Sequence, residues 1–165
     1  MKIKNIRETE THIYFWNSVF SNFYHINFNY KGFNFKNSEQ AFMWEKAKFF
    51  NDDYTADLIL LSTVPYQAKK LGRQVKNYND EMWSDVRYKF MYEINIAKWR
   101  KMEDLILSTG DKILVEASPF DKIWGVGLGE NDNKILDDNN WKGLNLLGEV
   151  LMDVRRKIKR DKNFS

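Results

Sequence analysis

Residues 25–50 read HINFNYKGFNFKNSEQAFMWEKAKFF, and this stretch holds both kinds of element from which the chain is built. Apolar and polar residues alternate over 25–30 and again over 33–36, the period of a half-buried strand. Lys31-Gly32 between them fits a two-residue hairpin turn. The period then changes. Asn37-Ser38 offers capping side chains, Gln40 follows three residues after Asn37, and a helix is expected from Ser38 to Phe50. At ~100° per residue, with Glu39 set at zero, Phe50 falls at about 20°, Met43 at about 40°, Phe42 at about 300° and Lys46 at about 340°. An acid and an amine therefore share the stripe that carries three large apolar side chains. They stand ~10.5 Å apart along the axis, too far for direct pairing. Either the stripe lies at the edge of the core and both groups reach water, or another part of the chain or a ligand satisfies them.

Outward from this stretch, residues 13–16 read as a strand. Helices are expected from about residue 52 through ADLILL, from Pro65 to Gly72, from about Asn79 to Trp99, and over 100–109 with Gly110 closing it. In the longest, Trp83, Val86, Phe90, Ile94 and Ala97 recur at threes and fours as one buried face. KILVEA (112–117) reads as a strand, SPFDKIWGVGLG (118–129) as a loop, and 145–159 as a last helix with Leu147, Val150, Leu151, Val154 and Ile158 inward. Helices outnumber strands and no βαβ alternation is visible. The expected class is α+β, predominantly helical with a small sheet, in one domain over 1–160 and a polar tail over 161–165.

Composition narrows the function. The chain has 165 residues, 43% hydrophobic and 30% charged, with net charge +3. Its longest apolar run is four residues, far short of the ~18 or more of a membrane span, and no apolar h-region follows the basic start, so a cytoplasmic location without membrane contact is expected. Cysteine is absent, which excludes disulfides, thiolate metal sites and a cysteine nucleophile. His12 and His25 make no zinc pair, and no metal or cofactor is expected. A mildly basic balance permits a phosphate-bearing ligand without demanding one. The aromatic share is 16%, which serves core filling or a stacking site, and composition by itself favours the core.

Three further constellations bear on chemistry. Glu116 to Gly127 delivers a carboxylate from a strand into a loop with Asp121, Trp124 and Gly125. That is a start for protonating or stacking on a base, or an ordinary turn with the indole folded back. Its GxG lacks the strand–GxGxxG–helix setting of a dinucleotide fold. In NSVFSNFY (17–24), Asn22 can bond a base edge and Phe23 can stack. Lys69-Lys70-Leu71-Gly72-Arg73 ends a helix, where Arg73 can hold a phosphate and the lysines complement the dipole. The cations of 155–160 in the last helical turns read as a solvated helix end.

These pieces together resemble the NADAR/YbiA-like family: SNFY (21–24), NSEQAF with Lys46, LGR (71–73), Trp83 with Met91 and Lys98, EASPFDKIWGVG (116–127) and NLLGEVLMDVR (145–155). The resemblance implies metal-independent cleavage of a ribosyl C–N bond. Its substrates would be ADP-ribose on the exocyclic amine of guanine, in nucleotides or modified nucleic acid and paired with an ADP-ribosylating toxin, or ribosylated pyrimidine phosphates of riboflavin synthesis. It implies Glu39, Lys46 and Asp121 as catalytic residues and Asn22, Phe23, Arg73, Trp83, Trp124 and Gly125 as substrate-binding ones. The chain departs from the family at Gln40, His25 and Trp99, and the first two bear on substrate preference. Two readings of other classes stand beside it: a non-catalytic ADP-ribose or NAD reader, and a nucleic-acid binder using the basic last helix.

Overall fold

The computed structural model describes residues 2–165. In chain order the elements are β1 (Ile6–Glu8), β2 (His12–Phe15), β3 (Phe28–Tyr30), β4 (Phe33–Phe35), α1 (Ser38–Phe49), α2 (Asp53–Leu60), α3 (Pro65–Gly72), α4 (Asp80–Trp99), α5 (Glu103–Leu107), β5 (Ile113–Glu116) and α6 (Leu146–Asn163), with two short 3-10 turns at Asn133–Leu136 and Asp138–Asn140. The class is α+β. The chain divides into two compact units, residues up to Ser21 with Met102–Ser165, and Asn22–Lys101.

In the first unit, β1 pairs antiparallel with β2, and β2 pairs parallel with β5. The parallel pair joins segments about a hundred residues apart, which no local pattern announces. The core gathers Tyr14, Val115, Ala117, Val126, Leu128 and Ile135. Asn145, at φ 53°, locks α6 onto this sheet. Its amide nitrogen donates to the Leu114 carbonyl at 2.9 Å, and its Oδ1 accepts the Glu116 N–H at 3.0 Å. One side chain thus replaces a stretch of strand pairing on β5.

Arg155 departs from the solvated cluster expected on α6, in which Arg156, Lys159 and Arg160 are exposed. The helix runs on to Asn163, so Arg155 lies well inside it. Arg155 is buried and donates to Thr109 Oγ1 and the Lys112 carbonyl, both at 2.8 Å. Around it Arg156 pairs with Asp153, Lys157 with Asp161 at 2.8 Å, and Lys159 with Asp111 at 3.9 Å. Cations one turn from carboxylates tie the helix to itself and to its neighbours.

In the second unit, β3 and β4 form the expected hairpin, with Lys31 and Gly32 at φ 50° and 84°. Positive φ at both turn positions matches the right-handed twist of the strands. Asn37 caps α1, its Oδ1 accepting the Gln40 N–H at 2.8 Å. Gln40 then fixes the helix laterally. Its amide donates to the carbonyls of Ile59 (3.0 Å), Leu60 (3.3 Å) and Ser62 (3.2 Å), and its oxygen accepts the Lys36 N–H at 2.8 Å. The departure from the family pattern at this position is therefore a structural clamp between β4, α1 and the end of α2. The inward face of α4 also differs from the expected one. Trp83, Met91, Ile94, Asn95, Lys98 and Trp99 are buried, while Val86, Phe90 and Ala97 are only half-buried. The helix turns an amide and an amine into the interior.

Candidate active site

The start of α1 is built by the loop before it. The Asn22 carbonyl accepts the Glu39 N–H at 3.0 Å, one of the amides that a helix N-terminus leaves unpaired. This draws Asn22 against α1 and buries it. Its Nδ2 reaches Met91 Sδ at 3.5 Å, a weak bond, and its Oδ1 is buried with no hydrogen-bond partner among the described residues. A buried acceptor left unmade costs about 1–3 kcal/mol. A ligand N–H would recover that.

Glu39 is buried, 8% exposed. Two turns on, Lys46 is half-buried, and its ammonium sits 4.3 Å from the centre of the Tyr78 ring. Burial pushes the Lys46 amine below the usual lysine range. The negative charge of Glu39 opposes that shift, the Arg73 guanidinium adds to it, and Asp80 opposes it. Four charged groups thus act on one another around the stripe of α1. Tyr78 belongs with them. Burial, then the 2.7 Å bond to Asp80, pushes its phenol up to about 12. The tyrosine therefore stays neutral and offers Lys46 a ring face.

The other expected residues of this unit divide. Arg73 is exposed at the end of α3. Phe23 is 38% exposed, with the Lys69 ammonium 5.6 Å from its ring centre. Trp83 is only 5% exposed, with Phe42 at 5.1 Å, a stacked Phe90 at 5.9 Å, Phe49 at 6.1 Å and Phe50 at 6.3 Å. Its indole packs among protein rings and backs the site from the core. Lys98 is fully buried, 5.3 Å from the Trp99 ring and 5.8 Å from Tyr24.

Asp121, Trp124 and Gly125 belong to the first unit. Their loop follows β5 and is held by side chains that bond its own backbone. Ser118 Oγ accepts the N–H of Phe120 at 3.3 Å and of Asp121 at 3.0 Å. Asp121 Oδ1 accepts the N–H of Ile123 and of Trp124, both at 2.8 Å. Gly125 permits the tight return, because a Cβ there would lie 2.9 Å from the Asp121 carbonyl oxygen and 3.0 Å from that of Glu116. Trp124 is half-buried.

Sequence reasoning missed Tyr78 and Asp80. A signal was available. Asn79 caps α4, accepting the Met82 N–H at 2.9 Å, so Tyr78 and Trp83 occupy the two positions of a hydrophobic staple. That pattern sets one edge of the Tyr78 ring against the protein: Phe50 lies near both rings, at 5.4 and 6.3 Å, while Tyr78 stays 43% exposed.

The NADAR domain profile matches residues 13–159. The chain belongs to the NADAR domain family. Among its relatives, N-glycosidase R617 of Acanthamoeba polyphaga mimivirus is 35% identical over 164 residues, 90% of this chain and 96% of that protein. The chloroplastic riboflavin biosynthesis protein PYRR of Arabidopsis thaliana is 32% identical over 55% of this chain, which spans 14% of that longer protein. The solved structure of the E. coli protein YbiA superposes with a TM-score of 0.77 at 26% identity, covering 97% of this chain and 92% of that one. This NADAR chain has no cluster of three or more candidate metal ligands among its described residues, and no described helix is long and apolar enough to cross a membrane.

Proposed function

We propose that this protein is an N-glycosidase that hydrolyses a ribosyl C–N bond, and that its substrate is guanine carrying ADP-ribose on the exocyclic amine. The observation that carries the reading is Lys46, half-buried, with its basicity lowered, inside the combined field of Glu39, Arg73 and Asp80. The N-glycosidase name of a relative matched over nearly its full length supports the reaction class. The choice of substrate rests on the exposed Arg73 as a cation for a diphosphate and on the exposed ring of Phe23 for a base.

Cleavage of this bond requires a proton on the leaving nitrogen and negative charge near C1, whose transition state resembles an oxocarbenium ion. Glu39 supplies the acid–base function. A sugar attached through an exocyclic amine also opens to an imine. The neutral Lys46 amine then adds to C1, the base leaves as its free amine, and water hydrolyses the lysine imine to release the sugar and restore the amine. The lowered basicity of Lys46 supports this route over simple anchoring. Asn22 Oδ1 accepts an N–H of the substrate. Asp121 as a second acid, and Trp124 and Gly125 as binding residues, are separate proposals tested by their own variants. A cytoplasmic location and a functional pairing with an ADP-ribosylating toxin go with this reading.

A second substrate class has its own support, the riboflavin name of the Arabidopsis relative. The test is a side-by-side release assay. Free ADP-ribose from ADP-ribosylated guanosine, with none from a ribosylated pyrimidine phosphate, upholds the choice, and the reverse result overturns it. Binding without release from either makes the protein a reader. Borohydride under turnover traps a protein–sugar adduct in the wild type and none in Lys46→Ala, and a wild type that gives no adduct leaves Lys46 an anchor.

A further inference from the structure

The first unit presents apolar groups to water on a loop that has no freedom to hide them. Phe120 is 88% exposed, Ile123 40% and Leu144 61%. The segments that bear them are hydrogen-bonded to each other. The Leu144 N–H donates to the Lys122 carbonyl at 2.9 Å, and the Leu146 N–H donates to the Ile123 carbonyl at 3.1 Å. Ser118 and Asp121 fix four successive or near-successive amides of the same loop. A phenylalanine held out on so constrained a backbone is a presented ring.

Charge says what the ring meets. Lys122 and Lys142 flank the same place, since a Cβ on Gly127 would lie 3.1 Å from Lys142 Cβ and 3.2 Å from Lys122 Cγ. Both lysines are exposed and neither takes part in an ion pair among the described residues. The one carboxylate of the loop, Asp121, has an oxygen held by two backbone amides. On α6, Arg156, Lys157 and Lys159 are each paired to a carboxylate. Among the described residues, Lys122 and Lys142 are unpaired cations on the two segments that bear Phe120 and Leu144.

We propose that Phe120, Ile123 and Leu144 with Lys122 and Lys142 form a contact surface for single-stranded nucleic acid, Phe120 stacking on an unpaired base and the lysines meeting the flanking phosphates. An isolated protruding ring reads splayed bases, not a closed duplex, and stacking with a basic flank is how strands are held without sequence preference. Three apolar side chains with two lysines are a poor match for a lipid surface, which is held by a long amphipathic face or a larger basic cluster. For its purpose this inference rests on the N-glycosidase reading, since it makes a modified strand, and not only a free nucleotide, the substrate. The binding itself does not depend on catalysis.

The test is fluorescence anisotropy of a labelled, unmodified oligothymidylate with the full chain at low salt. Phe120→Ala weakens binding about 5- to 100-fold, the loss of one base–aromatic stack. Lys122→Glu with Lys142→Glu weakens it further and flattens the salt dependence, while Lys157→Ala leaves it unchanged. Wild-type protein that does not bind the strand, or binds it no better than Phe120→Ala, overturns the proposal. So does tighter Phe120-dependent binding to anionic phospholipid vesicles than to the strand. Release assays on a free ADP-ribosylated nucleoside keep the two readings apart. A wild type that binds the strand through Phe120 but cleaves nothing sinks the N-glycosidase reading and leaves this surface standing.

Discussion

The helix α1 and the loop between Ser118 and Gly125 both carry acids, and they use them in opposite ways. In the loop, Asp121 and Ser118 accept four backbone N–H groups between them. Their polarity sets the shape of the chain. In α1 the backbone amides are met by the Asn37 side chain and the Asn22 carbonyl. Glu39 and Lys46 both sit in its apolar stripe at a cost in solvation. Gln40, between them in sequence with Glu39, shows the contrast within one helix, because its amide is engaged by three carbonyls. A buried polar group committed to backbone explains itself by folding. A half-buried lysine resting on a ring face, with its basicity lowered, calls for another explanation, and chemistry on a substrate is one.

The largest expected effect falls on α1. Glu39→Gln keeps the shape of the side chain and removes its proton-transfer capacity, so the cleavage rate drops about 100-fold or more while the melting temperature moves little. Full cleavage by this variant would dissolve the contrast between the two regions. Next in size is a stability effect inside the same unit. Burial pushes the Lys98 amine down to about 7. An unfolded lysine keeps its proton to about pH 10.4. Between those values the unfolded chain binds more protons than the folded one, so stability rises with pH across this window. Lys98→Met lacks that rise. Denaturant unfolding of both proteins shows wild-type stability gaining about 2 kcal/mol on the variant from pH 7 to pH 9. A gap that does not change with pH means that the buried amine holds its proton throughout.

Local chemistry was legible in the sequence wherever a short pattern has one physical cause. The Lys31-Gly32 turn, the Asn37 cap and the run from Pro65 to Gly72 each rest on residues whose backbone preference is strong. The stripe joining Glu39 and Lys46 was readable because helical period alone sets it. What escaped has causes elsewhere in the chain. The parallel pairing of His12 with Ile113 depends on the intervening hundred residues returning. The latch made by Asn145 needs a strand edge that its neighbours in sequence do not specify. On α4 the threes-and-fours pattern pointed to Val86, Phe90 and Ala97. The interior instead takes in Lys98 and Asn95, whose Nδ2 donates to the Met91 carbonyl at 3.0 Å, and hydrophobic period does not report either. The family resemblance makes Trp83 a site residue, and only packing reveals that four phenylalanines surround it.

The smallest expected effect separates shape from chemistry at Asp121. An asparagine offers the same Oδ1 to the Ile123 and Trp124 amides, so Asp121→Asn preserves the turn, and thermal unfolding coincides with wild type. Alanine offers nothing, and Asp121→Ala loses about 1 kcal/mol, the usual effect of deleting a side chain that accepts backbone amides. Cleavage then decides the role. If the carboxylate acts only through the turn, Asp121→Asn cleaves at the wild-type rate and Asp121→Ala falls in proportion to its loosened loop. If it moves protons or supports positive charge at C1, both variants lose cleavage together although only one loses stability. In that second case the loop joins α1 as chemistry, and the division between a region that shapes and a region that reacts no longer holds at this residue.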